Sequence, residues 1–368
     1  MQRYKFKNID LVNFLFLFLT PVASVLLTIA WIWNDGFSWG PLVLGIVFYY
    51  LTGMSITAGY HRLFAHKAYE ANALVKFFFL IFGAATFQNS LLKWGSDHRL
   101  HHLEVDSEAD PYSIQEGFFY AHMGWVFLKK NSEIKQRFAK DFLNDKLIMW
   151  QHRYYIPIAV IVGFGLPTLL GEVLFGSWLG GLALGGVARV VVVHHCTFFI
   201  NSLCHTLGST PYTDTNSAKD SWFMALLTFG EGYHNFHHYF QADYRNGIRW
   251  YHFDPTKWLI RSLSGVGMAR KLKLTPQEKI LAAKMQMKLK LLNSKIAAHE
   301  KFQAEVEALK AKVMESWENF QTTKNEYKAT KAKELRMKMI EARREFDQTM
   351  EAWNHYLSYL QTCPIPVQ

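Results

Sequence analysis

Cysteine is almost missing from this chain. Its 368 residues hold three, Cys196, Cys204 and Cys363, with no C-x-x-C pair. That excludes a disulfide framework and a cysteine-built iron–sulfur site, and it fits a reducing compartment. Charge is missing from four long stretches. Leu11 to Trp33 and Pro41 to Ala58 carry none, while Tyr154 to Leu174 and Trp178 to Ile200 carry only Glu172 and Arg189. Each approaches the ~20 residues that a helix needs to cross a hydrocarbon core. The first is too long for a signal peptide and leads directly into the second. The tail from about Thr275 lacks glycine, and proline is absent between Pro276 and Pro364.

Lys and Arg are also absent from the short connections of the two apolar hairpins, which hold Asp35 and Glu172. Arg3, Lys5 and Lys7 precede the first apolar stretch, and basic residues follow the second and fourth. By the positive-inside rule both termini lie in the cytoplasm. The net charge of +10 thus tracks membrane topology rather than a nucleic-acid surface. It suits anionic headgroups or a phosphate-bearing substrate.

Against these absences stands an excess of histidine. Nine of the sixteen fall in three clusters and one outlier: His61 and His66; His98, His101 and His102; His234, His237 and His238; and His205. Neutral imidazole is a common ligand for iron, zinc, copper and nickel. Nine are more than one ion can use, so the count points to a dinuclear centre. On a helix, i, i+3 and i+4 share a face, and neighbours such as His101 and His102 stand about 100° apart. Neighbouring rings can therefore address neighbouring ions. The five-residue step from His61 to His66 fits a regular helix poorly and requires a change of direction. No carboxylate falls inside the motifs, so bridging ligands of the soluble di-iron type are not expected. Asp97, Glu104, Glu231 and Asp243 flank the clusters and are candidates to orient the rings. His122, His152, His194, His195, His252, His299 and His355 read as ordinary polar residues, with His194 and His195, placed inside the membrane, the two kept open for a functional role.

The clusters can share metals only if they lie on one side of the membrane. Spans at about 11–33, 41–60, 154–174 and 178–204 return the chain to its starting side. The apolar segment 73–94 must then be interfacial or re-entrant, and 118–128 is placed at the interface. The expected fold is an all-α integral membrane protein: four transmembrane helices and a cytoplasmic helical cap with a histidine-rich dimetal centre. Residues 1–274 form the membrane domain and 275–368 a charged C-terminal extension. There Met285, Leu289, Leu292 and Ile296 repeat at 4 and 3 spacing, as do Phe302, Val306, Leu309 and Val313. Met350, Trp353, Leu357 and Leu360 resume the pattern of amphipathic helices. Asn319 to Asn325 is the expected turn of a hairpin, which packs on itself or on a second copy.

Ile56-Thr-Ala-Gly-Tyr-His-Arg-Leu-Phe-Ala-His66, Trp94-Gly-Ser-Asp-His-Arg-Leu-His-His102, Asn201-Ser-Leu-Cys-His205 and Gly230-Glu-Gly-Tyr-His-Asn-Phe-His-His238 resemble the membrane-bound fatty acyl desaturases. The nearest subgroup is the acyl-CoA delta-9 (stearoyl-CoA type) desaturases, in a bacterial form set in an inner membrane. The resemblance covers roughly residues 10 to 260. It implies two irons on His61, His66, His98, His101, His102, His205, His234, His237 and His238, with Asn201 reaching one metal through water. It also implies dioxygen as co-substrate, two electrons per turnover and a cis double bond in a long acyl chain. Zinc is expected to be able to occupy the same rings in purified protein. Arg62, Arg99 and Arg189 are candidates to hold a carrier phosphate, and Tyr49 or Tyr50 to limit chain length. The sequence carries no haem or iron–sulfur motif of a fused electron carrier. A separate ferredoxin or small cytochrome with its reductase is therefore the expected donor.

The competing readings are a phospholipid-acyl desaturase or a lipid hydroxylase on the same scaffold. A transporter should instead place polar ligands near the bilayer midplane, and nine ligands exceed a closed structural zinc site.

Overall fold

The computed structural model describes residues 8–129, 138–290, 292 and 300–362. Arg3, Lys5, Lys7, Ile296, His299 and Cys363 lie outside them. The chain divides into two compact units: one runs through Leu274 without Pro211–Asp214, and the other joins that short segment to Thr275 onward.

In the first unit four helices are long and apolar enough to cross a membrane: Leu11–Asp35, Trp39–Ala65, Tyr155–Phe175 and Trp178–His205. Asp10 caps the first, its carboxylate accepting from Asn13 N at 3.2 Å. Gly36, at φ 75°, ends it with an N–H bonded to Ile32 O. Only 11% and 28% of the most apolar windows in the first and third spans are buried, against 50% in the second and fourth. The first and third therefore present most of their side chains to lipid, and the second and fourth form the centre. Close approach of the third and fourth depends on glycine. A Cβ on Gly181 would stand within van der Waals overlap of Pro167 O, at 2.3 Å.

The apolar segment after His66 stops short of a span. Asn72 caps a helix over Ala73–Ala84, whose twelve residues reach only about 18 Å. The chain then turns at 85–90 and re-enters a helix, Leu91–Glu104, which carries the second histidine cluster. Two short antiparallel pairs fasten the unit: Asn8–Ile9 with Leu128–Lys129, and Glu70–Ala71 with Ala269–Arg270. Beneath the histidines Tyr60, Leu63, Phe79, Leu80, Leu91, Leu92 and Ile260 make one buried cluster.

In the second unit, helices Glu300–Thr330 and Lys333–Thr362 pair along their length. Val306, Val313, Trp353, Leu357 and Leu360 form a core with Met285 and Leu292. The hairpin turn lies at 331–332, not at the expected Asn319–Asn325. Phe320 and Thr323 are buried, and Trp317 meets Phe346 at 4.9 Å. Apolar contacts thus carry the helix through the two asparagines. The chain reverses only where Lys331 takes a left-handed φ of 57° and donates its N–H to Tyr327 O.

Candidate metal centre

The second span does not end as an ordinary α-helix. Over Ser55–Ala65 it widens into a π-helix, and His66 N bonds to His61 O at 3.0 Å. An i→i+5 ladder brings a five-residue step back to one face, so the two rings lie 4.7 Å apart. No change of direction is needed between them. His98, His101 and His102 come from the helix Leu91–Glu104, His205 from the end of the fourth span, and the last cluster from the short helix His234–Tyr239.

These elements sort the nine histidines into two groups. His61, His66, His98, His102 and His237 form one, and His101, His205, His234 and His238 the other. Within each, one nitrogen per ring lies within 4.8 Å of all the others. Adjacent residues divide between the groups: His101 from His102, and His237 from His238. His102 and His238 stack at 4.2 Å where the groups meet.

The nitrogens converge too closely for hydrogen bonding alone. His237 Nε2 stands 3.0 Å from both His61 Nε2 and His102 Nε2. The His61 Nδ1–H donates to Glu231 Oε2 at 2.9 Å, leaving its Nε2 a bare lone pair. The His101 Nδ1–H donates to Asp110 Oδ1 at 2.9 Å, and its Nε2 is buried with no hydrogen-bond partner. The His205 Nδ1–H donates to Ser217 Oγ at 2.7 Å, and that hydroxyl donates to Asp106 Oδ1. Lone pairs facing one another at about 3 Å repel unless a cation lies between them. Two imidazole nitrogens at right angles on one ion, each about 2.1 Å from it, stand about 3 Å apart. The residues therefore fit a metal in each group.

Electrostatics favours the same chemistry. Burial first, then the neighbouring rings, hold His66, His98, His102, His234, His237 and His238 well below the ordinary imidazole range. They are neutral, as ligands must be. Burial alone would raise the Glu231 carboxyl, but Arg62 and then His61 bring it down to about 2. It is an anion beside the five-histidine group.

Of the expected flanking carboxylates, Glu231 does orient a ring. Asp97 lines the adjoining cavity, while Glu104 accepts from Ser107 and Asp243 from Arg245. Asp110, Asp106, Ser217 and Tyr112, whose hydroxyl stands 3.3 Å from His98 Nδ1, were not among the sequence candidates. Only their place in the loops after His102 and His205 could have suggested them.

The three arginines all spend donors on groups of the protein. Arg62 is buried and gives its donors to Glu231, Asp254 and Tyr244 O. Arg99 forks onto Asp141 and bonds Phe64 O and Ala65 O. Arg189 bonds three carbonyls within the spans. Each guanidinium is bonded by carbonyls or carboxylates of the protein, with Arg62 and Arg189 buried and Arg99 partly exposed, a structural use that the sequence pattern does not distinguish from ligand binding. Tyr49 donates to Leu227 O, and Tyr49 and Tyr50 both pack on Phe229.

An apolar cavity of about 260 Å³ opens beside the centre. His61 and His98 of one group and His101 and His234 of the other line it, with Asn201, Trp94, Phe16, Phe198 and Phe229.

The fatty acid desaturase family model matches residues 37–268. The chain belongs to that family. Among similar proteins are a probable acyl-CoA desaturase of Schizosaccharomyces pombe and acyl-CoA desaturase 1 of Saccharomyces cerevisiae. They are 44% and 46% identical over 68% of this chain and 53% and 50% of theirs. The sn-1 stearoyl-lipid 9-desaturase of Anabaena variabilis is 32% identical over 66% of this chain and 88% of its own length. This desaturase-family chain spans about half the length of the two yeast relatives. Their fungal origin lends no support to the expected bacterial form.

Proposed function

We propose that the protein is an oxygen-dependent fatty acyl desaturase that places a cis double bond, at the delta-9 position, in a long saturated acyl-CoA. One observation carries the reading: rings from both histidine groups face the same apolar cavity. In this reading the nine histidines hold two irons, five on one and four on the other, and Asn201 reaches a metal through water. When bound, the irons supply the oxidising power, drawn from dioxygen and external electrons, that an unactivated methylene requires.

The protein's own share is positioning. Glu231, Asp110 and the Ser217–Asp106 pair fix ring tautomers, so that Nε2 faces the ion. Phe16, Phe198 and Phe229 exclude water and hold the alkyl chain against the ligands. Tyr49 bears on chain length through Phe229, whose ring it meets at 4.8 Å. The acyl-CoA form is favoured by the names of the two yeast relatives, and the cyanobacterial relative keeps a lipid-linked substrate as the second reading. Electrons arrive from a carrier such as a ferredoxin or small cytochrome. The histidine side faces the cytoplasm by the positive-inside rule.

Expression in a host unable to make unsaturated fatty acids, followed by gas chromatography–mass spectrometry of membrane acyl chains, tests this. A new monoenoic acid, absent with His101→Ala, supports desaturation, and its fragments locate the bond. Hydroxylated chains would favour a hydroxylase. No product from folded, two-iron protein with reductant overturns the proposal.

A further inference from the structure

Arg189 is a buried cation that the chemistry above does not use. It lies eleven residues after Trp178 in the fourth span, about 16 Å along at 1.5 Å per residue. That is mid-depth in a hydrocarbon core of ~30 Å. Its side chain is buried, and no ion pair to it is found among the described residues. A charge so placed is costly and marks a constraint. Its donors all go to carbonyls: Nε to Gly185 O at 3.1 Å, Nη1 to Ala85 O at 2.6 Å and Nη2 to Gly163 O at 2.7 Å.

Those carbonyls come from three elements. Gly185 and Gly163 sit in π-helical stretches of the fourth and third spans, Gly181–Ala188 and Ile161–Gly165. Ala85 opens the turn after Ala73–Ala84. In that turn Phe87 and Asn89 have φ of 58° and 78°; asparagine takes such left-handed values readily, but a bulky residue such as Phe87 holds one only where its surroundings impose it. The fourth span supplies that constraint along its length. Below Arg189–Ala85, His194 Nε2 donates to Thr86 O at 2.7 Å, and Gln88 Nε2 donates to Thr197 Oγ1 at 2.9 Å. Phe87 stacks on Phe164 at 4.7 Å, and a Cβ on Gly163 would stand 2.7 Å from its ring. Phe87, Gln88 and Asn89 form part of the cavity wall.

We infer that Arg189 is a positioning residue for the alkyl chain. It pins the turn that forms this wall, and so sets which chain lengths fit and which carbon–carbon bond lies beside the histidines. The bond selection rests on the desaturase reading; the length selection does not.

The test uses full-length protein and two readouts. The first is equilibrium binding of a graded series of saturated acyl-CoAs, with free fatty acids as a carrier-independent control. One methylene misplaced in an apolar pocket costs on the order of tenfold in discrimination. Arg189→Met should flatten the length preference by about that factor and admit longer chains. Arg189→Lys should do the same, because a compact ammonium cannot fork to three carbonyls. Gly163→Ala keeps Arg189 but pushes Phe87 inward, so it should move the preference to shorter chains. Should Arg189→Met fail to fold, the other two variants decide. The second readout is double-bond position in cells. The wild type should give one isomer and Arg189→Lys additional ones at equal iron content. Folded variants with wild-type length and isomer profiles, whatever their rate, would overturn the inference. A wild type that makes no unsaturated product would sink the desaturase reading, while the binding series would still decide the role of Arg189.

Discussion

Replacing Asp110 by Asn should weaken one ion of the pair and largely spare the other. Asp110 is 1% exposed. Its Oδ1 accepts from His101 Nδ1 at 2.9 Å and from Tyr112 N, while Oδ2 accepts from Asp106 N at 3.1 Å. Asn can keep the two bonds to its remaining oxygen, but its amide then faces the Asp106 N–H, donor against donor. It also removes the negative charge that makes His101 a better ligand. Losing such a partner typically costs 10- to 100-fold in metal affinity, about 1.4 to 2.8 kcal/mol. His101 belongs to the four-histidine group, so that ion should leave first. Purified protein titrated with a chelator, with bound iron or zinc measured by mass spectrometry, should show a one-ion plateau in Asp110→Asn. Glu231→Gln, acting on His61, should make the five-histidine ion the weaker one. Spectroscopy of protein stopped at the plateau should then show a different residual ion in each variant. Equal loss of both ions in Asp110→Asn, or affinities unchanged from wild type, would refute the reasoning.

Three other outcomes follow from the packing and charge already described. Trp353→Ala removes a fully buried ring from the core of the second unit. It should cost that unit about 3–5 kcal/mol, seen as a lower melting transition and faster proteolysis after Thr275. Gly232→Ala would place a Cβ 2.2 Å from Ala225 N, displacing the strand of chain that leads to His234. Metal content should fall below one ion per group, and retention of two ions would contradict the geometry. The Asp141 carboxyl is held well below its usual range by hydrogen bonds from Arg99, against the effect of burial and with help from Lys67. Its folded pKa lies below the unfolded value, so its contribution is fully present above about pH 4 and is lost as pH falls further. The stability difference between wild type and Asp141→Asn should be constant near neutrality and shrink in acid. A difference that grows on acidification would reverse the sign.

The clustering of the histidines was legible because histidine spacing on a helix is a local property. His98, His101 and His102 need only the 3.6-residue period, and their apolar neighbours place them near the spans. What the sequence hid is non-local or subtler than hydropathy. The π-helix over Ser55–Ala65 has the same apolar content as an α-helix, so the step from His61 to His66 looked like a bend. Asp110 and Ser217 reach their rings through chain reversals that no spacing encodes. The partners of the arginines were hidden for a related reason. Pattern shows a cation near a site but not the carbonyls of Gly163 or Ala85 that other elements bring to it. In the tail, heptad-like spacing located the helices, while the reversal at Lys331 depends on a backbone conformation that lysine rarely signals.

The split of neighbouring residues between the two groups makes the backbone a caliper. His101 and His102, like His237 and His238, are one residue apart and serve different ions in the proposed centre. With no carboxylate among the grouped ligands, the separation of the ions is set by helical pitch and by where two helices cross. Insertion of one residue before His98 would rotate that whole ring set by about 100°, and both ions would lose ligands at once. For these two helices the proposed sites are therefore a single heritable unit: a register error in either helix reaches both groups.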